Sequence, residues 1–147
     1  MEISNILHPD CVVCAVQGSS KKRILELISQ LASEHLVEVD QATILSSLAG
    51  REKMGCTGIG GGIALPHGRI KGLESALGVL VTCQPPVQYD AIDNMPVDIF
   101  FAILVPEEKA QEHLQTLSAI AKKFVDKDIL NRLRSATTDQ ELFQVLS

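Results

Sequence analysis

The strongest constraint in this sequence is a run of glycines that leads directly into a histidine. Five of the ten glycines of the chain fall within residues 55–62, and residues 63–68 then read Ile-Ala-Leu-Pro-His-Gly. Each glycine carries an entropic cost, so a cluster this dense is typical of a place where another group approaches the backbone closely. We therefore predict a functional site in this segment.

The histidine of this segment, His67, is expected at the end of a strand on a stiff support. Residues 63–65 are apolar and predict a short buried strand, while Pro66 restricts its own backbone and keeps Leu65 extended. Gly68 leaves the ring uncovered. Such an imidazole can act as a nucleophile, a general base, a metal ligand or a phosphate acceptor. The glycines match neither a P-loop nor a dinucleotide-binding motif.

Composition narrows the class of protein. A chain of 147 residues, of which 46% are apolar, predicts one domain over residues 1–147 with a core of its own. The net charge of -5 and the 3% of aromatic residues disfavour binding to nucleic acid. We find neither an apolar run long enough for membrane insertion nor a signal peptide, and expect a cytoplasmic protein.

The hydrophobic pattern predicts an α/β fold. Apolar runs predict four strands, at residues 11–16, 63–65, 76–83 and 97–105. Apolar residues at spacings of three and four predict five helices, at residues 20–35, 40–52, 107–124, 126–134 and 138–146. Ser19 or Ser20, Asp40, and Thr137 or Thr138 are expected to cap helices. The predicted order is β-α-α-β-β-β-α-α-α.

Two further side chains are candidates to act with His67. Arg51 directly precedes the glycine segment, and His113 follows a predicted central strand, where α/β folds gather functional groups. Phosphate handling suits this set, because Arg51 and loop amides can hold phosphoryl oxygens while His113 bonds an oxygen or orients the first ring. The glycines assigned to phosphate or partner binding are Gly58, Gly60, Gly61, Gly62 and Gly68.

Other residues that could carry chemistry are interpreted as structural. The four cysteines are too scattered for a disulfide framework, and Cys11 and Cys14 are expected in a buried strand without metal. His8 and His35 are expected to have no chemical role. The basic residues 21–23 fit either a solvated helix end or a docking patch for an acidic partner. We predict no metal site and no cofactor.

The segment from Glu52 to Gly68 resembles the phosphorylation-site signature of the fructose/mannitol-type enzyme IIA components of the bacterial phosphoenolpyruvate-dependent phosphotransferase system. Glu52 is followed by Ile59-Gly60 and then by residues 63–68 at the spacing of that signature. Residues 20–23, 51–55, 90–94 and 113–117 are similar to the nitrogen-regulatory branch, enzyme IIA-Ntr. The resemblance covers nearly the whole chain and implies a single EIIA type-2 domain.

The resemblance implies a fold and a function. The family fold is a three-layer α/β/α sandwich with a mixed sheet. His67 would accept a phosphoryl group from an HPr-like carrier protein as a tele-phosphohistidine, Arg51 would contact that group, and His113 would neighbour the ring. The phosphorylated and free forms would then regulate partner proteins of the transporter or sensor-kinase type.

Three other functions stay open. The chain could be a sugar-transport IIA component that passes phosphate to a IIB component. It could be a metal hydrolase with His67 and His113 as ligands, although a convincing third ligand is missing. It could also be a non-enzymatic interaction domain. Whether the chain is an enzyme is open, although a phosphocarrier fits better than a free-standing catalyst, and the oligomeric state is not predicted.

Overall fold

A computed structural model describes residues 3–147, which form six α-helices, six strands and one 3₁₀ helix. In chain order these are α1 (Ile3–Ile6), β1 (Leu7–Gln17), α2 (Lys21–His35), α3 (Gln41–Met54), β2 (Gly58–Gly60), β3 (Ile63–Ala64), β4 (His67–Ile70), β5 (Leu77–Val87), β6 (Val97–Pro106), the 3₁₀ helix (Glu107–His113), α4 (Leu114–Lys123), α5 (Lys127–Ser135) and α6 (Asp139–Leu146). None of the helices over this range is long and apolar enough to cross a membrane.

The strands form one mixed sheet in the order β1-β5-β6-β3-β2. β1 is parallel to β5, β5 is antiparallel to β6, and β2 and β3 form an antiparallel hairpin. β3 and β4 both run parallel to β6, on successive parts of the same edge: Ile63 pairs with Ile99, and His67 pairs with Ile103. The site segment is thus one interrupted strand beside β6.

Helices cover both faces of the sheet, as expected for a three-layer α/β/α sandwich. One buried cluster joins alternate residues of β5 and β6 to α2 and α3, through side chains such as Ile28 and Ile44. The other joins the opposite faces of the same strands to α1 and to α4–α6, through side chains such as Phe124 and Leu142. The continuous apolar sequence of β6 follows from this, because both of its faces are buried.

The helix boundaries largely follow the predicted signals. Side chains of Ser20 and Asp40 accept hydrogen bonds from the third residue beyond them, which satisfies amides at the starts of α2 and α3. Thr138 caps α6 in the same way, and Glu141 accepts a hydrogen bond from the Thr137 amide in return. Because each cap joins residues that are close in sequence, the caps can be predicted from the sequence alone.

The structure differs from the predicted elements in five places. It adds α1, and it forms two short strands, β2 and β4, in segments that were expected to be loop. The single helix predicted from residue 107 is a 3₁₀ helix followed by α4. β5 continues through Pro85 and Pro86. These prolines lie between Thr82 and Val87, where the register with β6 shifts, so that the missing proline N–H groups break no regular ladder of hydrogen bonds with β6. The three strand features depend on pairing between distant segments rather than on local pattern.

Two glycines allow a matched test of the packing. A Cβ added to Gly50 in α3 would enter open space, whereas a Cβ added to Gly78 in β5 would meet Phe101 Cζ at 2.8 Å. We expect Gly50→Ala to raise the free energy of unfolding by about 0.5–1 kcal/mol, because alanine is the better helix former. We expect Gly78→Ala to lower it by about 1–3 kcal/mol through overpacking. Urea unfolding checks both changes, and equal effects would contradict the packing described.

Candidate functional site

His67 lies at an interruption of the sheet edge. It is the first residue of β4 rather than the end of a strand, and it is half-buried. The two residues before it are held by the backbone, since the Leu65 amide donates to Thr57 at 3.0 Å and the Pro66 carbonyl accepts from Ile103 at 2.9 Å. The ring is therefore carried by a backbone fixed on both sides.

The hydrogen bonds of the His67 ring define its tautomer. Nδ1 lies 3.0 Å from the Leu65 carbonyl oxygen, which can only accept, so Nδ1 carries the proton. Nε2 lies 3.2 Å from Nε of Arg51, which can only donate, so Nε2 offers its lone pair. Both contacts independently make Nε2 the nucleophilic nitrogen of the ring.

Arg51 reaches His67 from the last turn of α3. Its Nη1 donates to the Gly55 carbonyl at 2.8 Å, just beyond the end of that helix. This second bond holds the guanidinium over the helix terminus while Nε faces the imidazole. The structure thus brings together two of the three side chains that the sequence predicted to act jointly.

A cavity of about 380 Å³ opens at this pair. Its polar lining includes His67, Arg51 and Arg69, and its apolar lining consists of Met54, Val105, Ala110, Leu114 and Leu117. Two guanidinium groups next to a neutral imidazole favour an anion and disfavour a metal cation. The apolar lining is suited to contact with another molecule rather than with water alone.

Arg69 was missed by sequence reasoning, although a signal for it existed. It lies two residues after His67 in β4, and alternate residues of a strand share a face. It lines the same cavity, and its carbonyl accepts a hydrogen bond from Ser47 Oγ of α3 at 2.9 Å. The signal was hidden because β4 itself was not predicted. Arg69 therefore adds a second cation to the site.

His113 lies at the end of the 3₁₀ helix and is only 7% exposed. Within the described chain its Nδ1 is buried without a hydrogen-bond partner. It borders a separate depression with Glu112, Gln115 and Thr116, and it is not part of the lining of the His67 cavity. Its predicted position beside the His67 ring stays a prediction.

The predicted glycines are divided between the cavity and the loop before it. Among Gly58, Gly60, Gly61, Gly62 and Gly68, Gly68 borders the cavity. Its lack of a side chain lets β4 pack on Ser47 of α3. Gly60, Gly61 and Gly62 have positive φ angles of 94°, 68° and 84° and form the tight turn between β2 and β3. Their predicted role in phosphate or partner binding is not decided by this geometry.

The tip of the β2–β3 hairpin is held by side chains from two other segments. The Gly61 amide donates to Asp93 Oδ2 at 3.0 Å, and the Gly61 carbonyl accepts from Arg134 at 2.7 Å. Arg134 also forms a two-point contact with Asp98, at 2.8 and 2.9 Å. Amide hydrogen bonds from Gly61 and Met95 lower the pKa of Asp93 below its ordinary value. The Gly61 amide is thus already engaged by a carboxylate.

The base of the same hairpin is held by Glu52, the neighbour of Arg51. The Glu52 carboxylate is 5% exposed and accepts hydrogen bonds from the amide and the hydroxyl of Thr57. It also forms an ion pair with Lys21 of α2 at 3.0 Å. Lys21 lies over the ring of Tyr89 at 4.4 Å. One member of the basic cluster at residues 21–23 is therefore an internal partner of the site.

Comparison with known proteins agrees with this geometry. The family described as phosphoenolpyruvate-dependent sugar phosphotransferase system, EIIA 2, matches residues 5–147. A nitrogen regulatory protein of Klebsiella oxytoca is 45% identical over 148 residues, covering 100% of this chain and 91% of the relative. The crystal structure of nitrogen regulatory protein IIA-Ntr from Neisseria meningitidis has a TM-score of 0.90 at 37% identity, covering 99% of each chain.

A more distant structure shares the fold alone. Enzyme IIAMtl of Escherichia coli, determined in complex with phosphorylated enzyme IIBMtl, has a TM-score of 0.76 at 15% identity, covering 96% of this chain and 98% of that chain. The family match over nearly the whole chain and the close relatives agree on one assignment. The chain belongs to the EIIA 2 family of the phosphoenolpyruvate-dependent phosphotransferase system, in its nitrogen-regulatory branch.

Proposed function

We propose that this protein is a phosphohistidine carrier in which Nε2 of His67 accepts a phosphoryl group from a histidine of an HPr-like protein. The observation that carries the proposal is the pair of hydrogen bonds on the ring, which leaves the lone pair on Nε2 and places it beside Arg51. We further propose that the chain acts in the cytoplasm as a single EIIA domain, residues 1–147, and that the phosphoryl transfer needs no cofactor. It serves as a carrier rather than a free-standing catalyst.

The transfer is an in-line displacement at phosphorus. The bond from Nε2 of His67 to phosphorus forms as the bond from the donor nitrogen breaks, and the donor histidine leaves neutral. Nδ1 keeps its proton, so the phosphorylated ring is cationic and donates to the Leu65 carbonyl throughout. The proton is thus already in place before the reaction, and no separate general base is needed.

Arg51 has two successive tasks in this scheme. Its hydrogen bond to Nε2 occupies the lone pair that must attack, so this bond breaks before transfer. The freed guanidinium then lies next to the incoming phosphoryl oxygens, where planar paired donors suit phosphate geometry. Arg69 lines the same cavity and offers a second positive charge. Charge stabilisation and positioning are the main contributions that a phosphoryl-transfer site makes.

Exposed apolar side chains around the cavity support docking of a protein donor. Met54 and Leu114 line the cavity and are 83% and 57% exposed. Ile59 of the hairpin and Ile92 and Met95 of the loop that holds it are also exposed. Exposed groups of this kind are typical of protein–protein contact surfaces. The predicted glycines, Gly58, Gly60, Gly61 and Gly62, would then shape the rim of the docking surface.

We propose that the output is regulatory. A phosphoryl group adds about -1.5 to -2 charges at a cavity lined by two arginines, which changes the potential that a partner meets there. The relatives that are named nitrogen regulatory protein favour a regulatory output. That the regulated partners are of the transporter or sensor-kinase type is part of our proposal and rests on the family resemblance. The sugar-transport alternative, with transfer to a IIB component, has weaker support, from a fructose-specific EIIA component of Haloferax volcanii that is 27% identical over 146 residues and from the fold shared with IIAMtl. Arg51 and Arg69 argue against the metal-hydrolase alternative.

Phosphorylation is expected at Nε2 of His67 alone. After incubation with phosphoenolpyruvate, enzyme I and an HPr-type carrier, the intact protein should gain the mass of one acid-labile phosphoryl group. His67→Ala should gain none and stay folded, because it removes no core volume, and His8→Ala, at an exposed position, is the control. Nitrogen NMR of the labelled ring identifies the bonded atom. Phosphorylation at Nδ1, or of the His67→Ala protein, would contradict the tautomer argument.

Arg51→Ala should slow transfer without abolishing it, and the same is predicted for His113→Ala on the family resemblance alone, since His113 does not line the His67 cavity. Loss of one electrostatic contact corresponds to a reduction of roughly tenfold to a thousandfold in rate. Arg132→Ala, at an exposed position of α5, is the matched control for loss of a guanidinium. Rapid-quench measurement of the phosphoryl transfer rate checks these values. Unchanged rates in both variants would remove Arg51 and His113 from the site.

Partner binding should depend on the phosphorylation state and weaken with added salt, because the charge difference is read at short range. His67→Asp and His67→Ala should therefore differ in affinity for a regulated partner. Affinity capture with each variant, followed by titration of the captured protein, measures the difference. Equal binding of the partner by all forms, together with sugar uptake that depends on phosphorylation of His67, would favour the sugar-transport function instead.

A further inference from the structure

The first half of β1 departs from the alternation expected of a strand. Residues 8–10 are exposed in succession, whereas Cys11 and Val12 are both buried. The register with β5 shifts between Leu7 and Val12, which is the mark of a bulge. A bulge re-aims side chains, so that neighbours in sequence no longer point to opposite faces. Asp10 and Cys11 are thereby brought to the same place.

The group that they meet is His35, the last residue of α2. Its Nδ1 lies 2.7 Å from Oδ2 of Asp10, and the ligand atoms of Asp10, Cys11 and His35 all lie within 4.8 Å of one another. Cys11 closes the inner side of this cluster with 0% exposure, while the side chains of Asp10 and His35 are 60% and 26% exposed. The exposed ring of His8 stacks on His35 at 4.5 Å between ring centres. The cluster is thus closed by buried Cys11 on the side of the protein core and open to solvent on the side of Asp10 and His35.

We propose that Asp10, Cys11 and His35 bind one zinc ion. One imidazole, one carboxylate and one thiolate are the three ligand types that Zn²⁺ uses, whereas Mg²⁺ and Ca²⁺ require oxygen ligands. A water molecule would supply the fourth ligand, because the side chains of Asp10 and His35 are partly exposed. At zinc bond lengths near 2.1 Å, tetrahedral ligand atoms are about 3.4 Å apart. Asp10 and His35 therefore separate slightly, which the exposure of Asp10 permits.

Metal binding here replaces protons. Burial, with a contribution from the nearby Asp10 charge, raises the pKa of the Cys11 thiol to about 12, so the free protein holds it protonated. A bound cation stabilises the thiolate, and the thiol proton passes to solvent. The proton between His35 and Asp10 moves to the other ring nitrogen as Nδ1 takes the metal. Without metal, the same residues form a carboxylate–imidazole pair at the end of α2.

The proposed zinc site is remote from the phosphoryl site. α2 spans Lys21–His35, and Lys21 at its start pairs with Glu52 beside Arg51. The fourteen steps between the two ends correspond to about 21 Å along the helix axis. The zinc ion would therefore fasten the end of α2 to β1 and stabilise the fold. This inference does not rest on the proposed function of His67.

Cobalt and zinc titrations of the purified chain test the proposal. We expect one equivalent of Zn²⁺ to bind with submicromolar affinity, and Co²⁺ to give the near-ultraviolet charge-transfer band of a thiolate ligand. His35→Ala and Cys11→Ser should each weaken Zn²⁺ binding by about 100-fold or more, and Cys11→Ser should remove the band. Cys14→Ser, on the same strand, is the matched control and should retain both signals. Zn²⁺ should also raise the melting temperature of the unaltered chain.

Two results would overturn the proposal. One is Zn²⁺ binding that is weaker than micromolar or unaffected by His35→Ala, which leaves only the carboxylate–imidazole pair. The other is a Co²⁺ complex of the unaltered chain without the thiolate band. Because Cys11 is buried, its variants could fail to fold, so circular dichroism accompanies each titration. His35→Ala changes a partly exposed helix end and keeps the test decisive in that case.

Discussion

Burial of β6 on both faces is the constraint on which the site depends. The long antiparallel pairing with β5 fixes one edge of β6, and the other edge receives β3 and then β4. Pro66 lies in the gap between these two short strands and has no amide hydrogen to donate. Next to this break, the Leu65 carbonyl accepts a hydrogen bond from the His67 ring. A local defect in the sheet edge thus orients the imidazole.

Two neighbouring residues near the end of α3, Arg51 and Glu52, contact different parts of the site. Arg51 turns towards His67, while Glu52 turns inward to Thr57 and Lys21, because successive side chains of a helix point about 100° apart. A buried carboxylate costs free energy unless it is paired, and Glu52 has both a cation and two donors. The same contacts fix the base of the β2–β3 hairpin. The backbone around His67 is therefore set before any phosphoryl group or partner arrives.

The combination of a fixed hairpin and exposed side chains suits the carrier function proposed above. The hairpin is tied at its tip by Asp93 and Arg134. Met54 and Leu114, in contrast, present exposed and flexible apolar side chains around the cavity. A fixed imidazole surrounded by adaptable side chains favours recognition through side-chain rearrangement. A change of charge at His67 can then alter binding without a change of fold.

The sequence by itself determined the features that are encoded among near neighbours. These include the main helices and strands, the capping roles of Ser20 and Asp40, the presentation of His67 behind Pro66, and the family signature. Only the tertiary structure decided that β4 forms, that Arg51 donates a hydrogen bond to Nε2 of His67, and that Arg69 shares the cavity. It also decided that Lys21 forms an ion pair with Glu52 and that Cys11 lies close to His35. The physical reason is sequence separation: hydrophobic period and caps act over a few residues, whereas these contacts join segments that only folding brings together.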